Sequence, residues 1–76
     1  MARITQFVPK TLERNSVHRE VEATYTSFEL GGKRYFQIDT YGTKDRKIPG
    51  KRSQSFQIDR DAAARLVELL RTEFSL

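Results

Sequence analysis

The chain has 76 residues, no cysteine, one histidine, and a formal net charge of +4 from 14 Lys and Arg against 10 Asp and Glu. A single small domain of this length buries only about 60–65% of the surface its unfolded chain exposes. Disulfides and thiolate metal sites are excluded, and the lone His18 is too little for a histidine zinc site. Small domains without such supports turn to a partner subunit, so a homodimer is expected.

Residues 1–16 show little periodicity and contain Pro9, Lys10 and Arg14. They read as an N-terminal arm with one short strand at Ile4–Val8. The apolar run from Met1 to Val8 is broken by Arg3, Thr5 and Gln6, so neither a secretory signal nor a membrane span is expected. The absence of Cys agrees with a reducing interior, and the expected location is cytoplasmic, with nucleoid association as a variant.

A single β-β-β-α domain is expected over residues 17–76. From Val17 to Leu30 the chain is rich in β-branched and aromatic residues and alternates, which predicts a strand. Gly31-Gly32 marks a two-residue hairpin turn, because both glycines can take positive φ. Lys33–Tyr41 forms the second strand and Ser53–Ile58 the third, with Pro49-Gly50 as a turn signal between them. Asp59 then caps a helix over roughly Arg60–Phe74, and Asp61 suits the positive end of its dipole. The fold class is α+β: a small antiparallel twisted sheet of three to four strands followed by one C-terminal helix.

A two-residue turn sets the register. Leu30 then faces Lys33, Phe28 faces Tyr35, Thr26 faces Gln37 and Tyr25 faces Ile38, and opposed residues share a sheet face. Val21, Ala23, Tyr25, Phe36 and Ile38 form the core face, joined by Phe56 and Ile58. Thr24, Thr26, Phe28, Tyr35, Gln37, Asp39 and Tyr41 take the other face, with Ser53, Ser55 and Gln57. On the helix, Ala62, Ala63, Leu66, Val67, Leu69, Leu70 and Phe74 cover an arc of about 160°, wider than the roughly 100° an ordinary amphipathic helix needs. The excess predicts a second packing surface, most simply the same helix of another subunit across a two-fold axis.

Charge is concentrated between the second and third strands. Thr43–Arg52 holds Lys44, Arg46, Lys47, Lys51 and Arg52 against the single acid Asp45, a net +4 that equals the charge of the whole chain. Such a loop beside a polar sheet face points to an anionic partner, with nucleic acid the commonest. Lys and Arg would neutralise phosphates, Tyr35 and Tyr41 would stack on unpaired bases, and Gln37 and Gln57 would reach base edges. Phe-Gln-Ile-Asp occurs at residues 36–39 and again at 56–59, but four residues are too few to argue duplication. Asp39, Asp45, Asp59 and Asp61 raise the thought of a metal-dependent nuclease. Asp59 and Asp61 are accounted for at the helix start, however, and neither a phosphate-binding glycine loop nor a lysine–carboxylate motif accompanies the others. No enzyme activity, cofactor or metal is expected, and His18 reads as a surface residue.

The ordered set Gly32-Lys33, Ile38-Asp39, Tyr41, Pro49-Gly50-Lys51, Phe56, Ile58 and Asp59, followed by Ala63, Leu66 and Leu70, resembles the transcriptional coactivator family of positive cofactor four. The likeness runs from about Phe28 to Leu70, a little over half of the chain. It implies a dimer formed through helix and sheet, with two antiparallel single strands of DNA bound across concave sheet surfaces. By that likeness Tyr41 would stack, and Lys33, Lys51 and Arg52 would contact the backbone. Lys44, Arg46 and Lys47 have no counterpart, and the family's Trp is missing here.

The expected function is therefore non-catalytic, largely sequence-independent binding of single-stranded nucleic acid by a homodimer, in transcription, replication or repair. The resemblance favours DNA over RNA; the residues themselves do not separate the two. The rival is a small protein-interaction or inhibitor module that presents the basic loop to an acidic partner.

Overall fold

A computed structural model describes residues 1–42 and 52–76. Four strands and one helix follow in chain order: β1 (Ala2–Ile4), β2 (Ala23–Leu30), β3 (Lys33–Tyr41), β4 (Arg52–Ile58) and α1 (Arg60–Phe74). The sheet order is β1-β4-β3-β2. β2 and β3 form the expected hairpin, with Gly31 at φ 59° and Gly32 at φ 78°, values that favour glycine at both turn positions. That turn gives the expected register, pairing Leu30 with Lys33, Phe28 with Tyr35, Thr26 with Gln37 and Tyr25 with Ile38.

The two Phe-Gln-Ile-Asp copies meet across the β3–β4 ladder. Phe36 lies opposite Ile58, Gln37 opposite Gln57 and Ile38 opposite Phe56. An antiparallel pair of identical segments is locally two-fold symmetric, so the repeat places apolar partners on one face and amide partners on the other. Between Thr40 and Tyr41 the register shifts: Thr40 pairs with Gln54 and Tyr41 with Arg52. Ser53 is thus the extra residue of a bulge, and Arg52 joins the face of Ser55 and Gln57 instead of the opposite one.

The sheet departs from expectation in two places. The N-terminal strand lies at Ala2–Ile4 rather than Ile4–Val8, and it runs parallel to β4, which makes the sheet mixed rather than antiparallel. Parallel pairing follows from placement: the edge of β4 is open, and a long connection separates the two strands in sequence. The first long strand begins at Ala23, not Val17, and residues 17–22 pair with no strand among the described residues. Val17 is fully exposed despite the alternating pattern around it.

The helix matches its expected span. Asp59 has extended backbone, and its Oδ1 accepts a hydrogen bond from the Ala62 N–H at 3.0 Å. Arg71 sits in the last turn, and Ser75 closes the helix in the left-handed region at φ 54°. Ile58 and Ala62 are the buried apolar residues among those described, and they meet where the helix leaves β4. Replacing Ile58 with Ala should therefore cost about 2–5 kcal/mol in urea unfolding, a large share of so small a domain's stability. Val17→Ala should stay within about 0.5 kcal/mol. Equal effects from the two would mean that the core is misplaced.

Candidate nucleic-acid interface

The sheet face away from α1 carries Gln37, Asp39, Ser55 and Gln57 together with the rings of Phe28, Tyr35 and Tyr41. Cross-strand pairing aligns Arg3, Gln57, Gln37 and Thr26 in one row, and Ser55, Asp39 and Thr24 in the next. Phe28 stacks on Tyr35 near the hairpin end, with ring centroids 5.5 Å apart and planes inclined at 28°. At the other end of β3, the Tyr41 hydroxyl shares a 2.8 Å hydrogen bond with Thr24 Oγ1. Tyr35 and Tyr41 are six residues apart on one strand and so about 20 Å apart, with the amides between them.

Asp39 anchors the middle of this face. It is only 5% exposed, and a carboxylate in that position must be met by donors. Gln37 Nε2 donates to Asp39 Oδ1 and Oδ2 at 3.0 and 3.1 Å, and Gln57 Nε2 donates to Gln37 Oε1 at 2.7 Å. Arg52 Nη1 lies 3.8 Å from Asp39 Oδ1, with the Arg52 side chain half exposed. The bulge makes that ion pair possible, since it turns Arg52 to the Asp39 face. The Asp39 pKa is lowered below its ordinary 3.8, first by the hydroxyl of Ser55 opposite it on β4; desolvation opposes the shift, and Gln37 and Arg52 add to the lowering.

The structure brings Tyr35, Gln37, Tyr41, Arg52 and Gln57 of the expected site onto one face. Lys33 is exposed on the same face at the hairpin, opposite Leu30. Lys44, Arg46, Lys47 and Lys51 lie outside the described residues. Gln37 is less free than the sequence implied, because Gln57 and Asp39 engage both ends of its amide. Sequence reasoning missed Arg3, which β1 delivers to the Gln57 row, and missed that Asp39 organises the amides. The Asp39 position carried a signal: an acid two residues from a Gln on the same strand face. For Arg3 there was none, as a three-residue strand has no readable periodicity. Asp39 faces the outer side while Asp59 caps the helix, and among the described residues no group of three or more His, Cys, Asp or Glu comes together. His18 is exposed and outside any strand.

The chain matches no protein-family model, no curated protein and no solved structure. Among the described residues no helix is long and apolar enough to cross a membrane.

The lowered Asp39 pKa has a stability consequence. The unfolded chain binds a proton at Asp39 more readily than the folded one, so its contribution is present above pH 3.8 and is lost as pH falls through the folded value. Asp39→Asn should lower the urea midpoint at neutral pH and flatten the fall in stability as pH drops below about 5 relative to wild type. Parallel curves for the two proteins would deny Asp39 this role.

Proposed function

We propose that the protein is a non-catalytic, homodimeric binder of single-stranded nucleic acid, DNA in preference to RNA, and a relative in kind of the positive cofactor four coactivators. The supporting observation is the outer sheet face, where Tyr35, Tyr41, amide groups and arginines share one surface, on strands that the basic segment 43–52 joins in sequence. Bases stack on aromatic rings, amides meet base edges, and guanidinium groups meet phosphates, without any need for turnover. The reading places the protein as a holder of unpaired strands in transcription, replication or repair within the cytoplasm.

The opposite face supports the dimer. Phe74 is 69% exposed, Val67 is 48% exposed, and Tyr25 is 75% exposed although it stacks on Phe36 at 5.5 Å. The chain exposes 7354 Å². A monomeric protein of 8.9 kDa ordinarily exposes ~4,800 Å². The excess over the whole chain is ~2,500 Å². Obligate dimers bury ~1,000–2,500 Å² per subunit, so a second copy meeting this face through α1 is of the right size.

Anisotropy titration of fluorescent 20-mers tests the binding. Single-stranded DNA should bind more tightly than duplex or matching RNA, with a log–log salt slope near −3 for about four neutralised phosphates. Tyr41→Ala should weaken binding by about 1–3 kcal/mol without changing the slope. Equal weak binding to all three ligands would reject the reading in favour of a protein partner. Sedimentation equilibrium tests the assembly: wild type should sediment as a dimer, and Val67→Asp with Phe74→Asp should shift it towards monomer. A monomeric wild type at high micromolar concentration would reject the dimer.

A further inference from the structure

β1 brings to the outer face a cation, Arg3, that lies outside the site expected from the sequence. Arg3 pairs in register with Gln57. Together with Arg52, Gln37, Ser55 and Gln57 it lines an open pocket of about 370 Å³ at the β1–β4 edge. Two guanidinium groups therefore border one depression whose floor is made of amides and a hydroxyl. Among the described residues Arg52 is paired with Asp39, whereas Arg3 is in neither of the ion pairs, Arg52–Asp39 and Arg65–Glu68.

The floor of the pocket has a defined polarity. An ionised carboxylate only accepts hydrogen bonds, so Asp39 requires the Gln37 NH₂ group to turn towards it. Gln37 Oε1 must then face Gln57 and accept from its Nε2. The chain ends on Gln57 Oε1, an acceptor on a residue that lines the same pocket as Arg3. Neither amide can reverse without setting two like groups against each other, so the acceptor is held in place before any ligand arrives. A nucleotide supplies the complementary pair: phosphodiester oxygens for a guanidinium and a base N–H for an amide carbonyl.

We propose that this pocket is a nucleotide subsite, in which Arg3 contacts a phosphodiester and Gln57 Oε1 accepts a hydrogen bond from the adjacent base. The inference rests on the single-strand reading and extends it, because the ligand then crosses β4 to the β1 edge instead of stopping at the basic segment. Asp39 acts as a positioning residue through Gln37.

The test separates an ionic contact from a neutral one with single-stranded DNA 20-mers across a salt series. Arg3→Ala should make the log–log slope shallower by about 0.7, one phosphate's share on a single strand. Arg3→Lys, which keeps the charge on the same strand, should retain the wild-type slope. Gln57→Leu should weaken binding about two- to tenfold at unchanged slope. An unchanged slope in Arg3→Ala, with wild type still binding, overturns the subsite and leaves the single-strand reading standing. A slope loss shared by Arg3→Lys assigns the effect to the strand rather than the charge and overturns the inference as well. Failure of wild type to bind single strands removes both.

Discussion

A carboxylate on the central strand pair of a small sheet must be surrounded by donors, and that requirement at Asp39 organises the outer face. Gln37, the Ser55 hydroxyl and Arg52 each answer it. Each answer fixes something further: Gln37 orients Gln57, and Arg52 can reach only because Ser53 is bulged out of the ladder. A bulge at the end of a strand is often a local irregularity with no role. Here it changes which face a guanidinium occupies, and so changes the charge of the candidate interface. The same arrangement tempers Arg52, whose charge is partly met by Asp39 before any phosphate approaches.

The inner face is governed by a shortage of cover. The 15-residue helix meets the sheet at β4, while Tyr25 on β2 stays open to solvent despite its stacked partner. Apolar area left in water contributes nothing to folding, at about 25 cal/mol per Å² forgone. In a chain of 76 residues without disulfides the deficit matters, because the margin of stability is only a few kcal/mol. The breadth of the apolar arc on α1 and the bareness of β2 are two aspects of one deficit, which the proposed second subunit would relieve together.

Local chemistry made most of this fold legible. Gly31-Gly32 admits a two-residue turn, and once that turn is granted the β2–β3 register follows residue by residue. Asp59 before an apolar run at helical spacing marks the start of α1 in the same direct way. The parallel pairing of β1 was not legible, since Ala2–Ile4 is too short to show a period and its partner lies at the far end of the chain. With it went Arg3, the cation that pairs in register with Gln57. The segment Val17–Glu22 differs for another reason: its alternation is clear, yet it pairs with no strand among the described residues, and alternation alone does not make a strand. The bulge at Ser53 also lies beyond a pattern of alternating residues, which is why the outer position of Arg52 had to come from the ladder itself.

The two faces are not independent, because β3 and β4 carry both in alternation. Phe36 and Ile38 point inward where Gln37 and Asp39 point outward, and Phe56 and Ile58 frame Gln57 in the same way. A one-residue slip of either strand would exchange the faces at once, placing amides under the helix and phenylalanines in the interface. The pairing of the two Phe-Gln-Ile-Asp segments resists that slip from both sides: apolar partners oppose one another inside, and the Gln37–Gln57 hydrogen bond closes outside. The polar chain that shapes the candidate interface is thereby also a register lock for the core, and the repeated tetrapeptide is explained by pairing geometry without appeal to duplication.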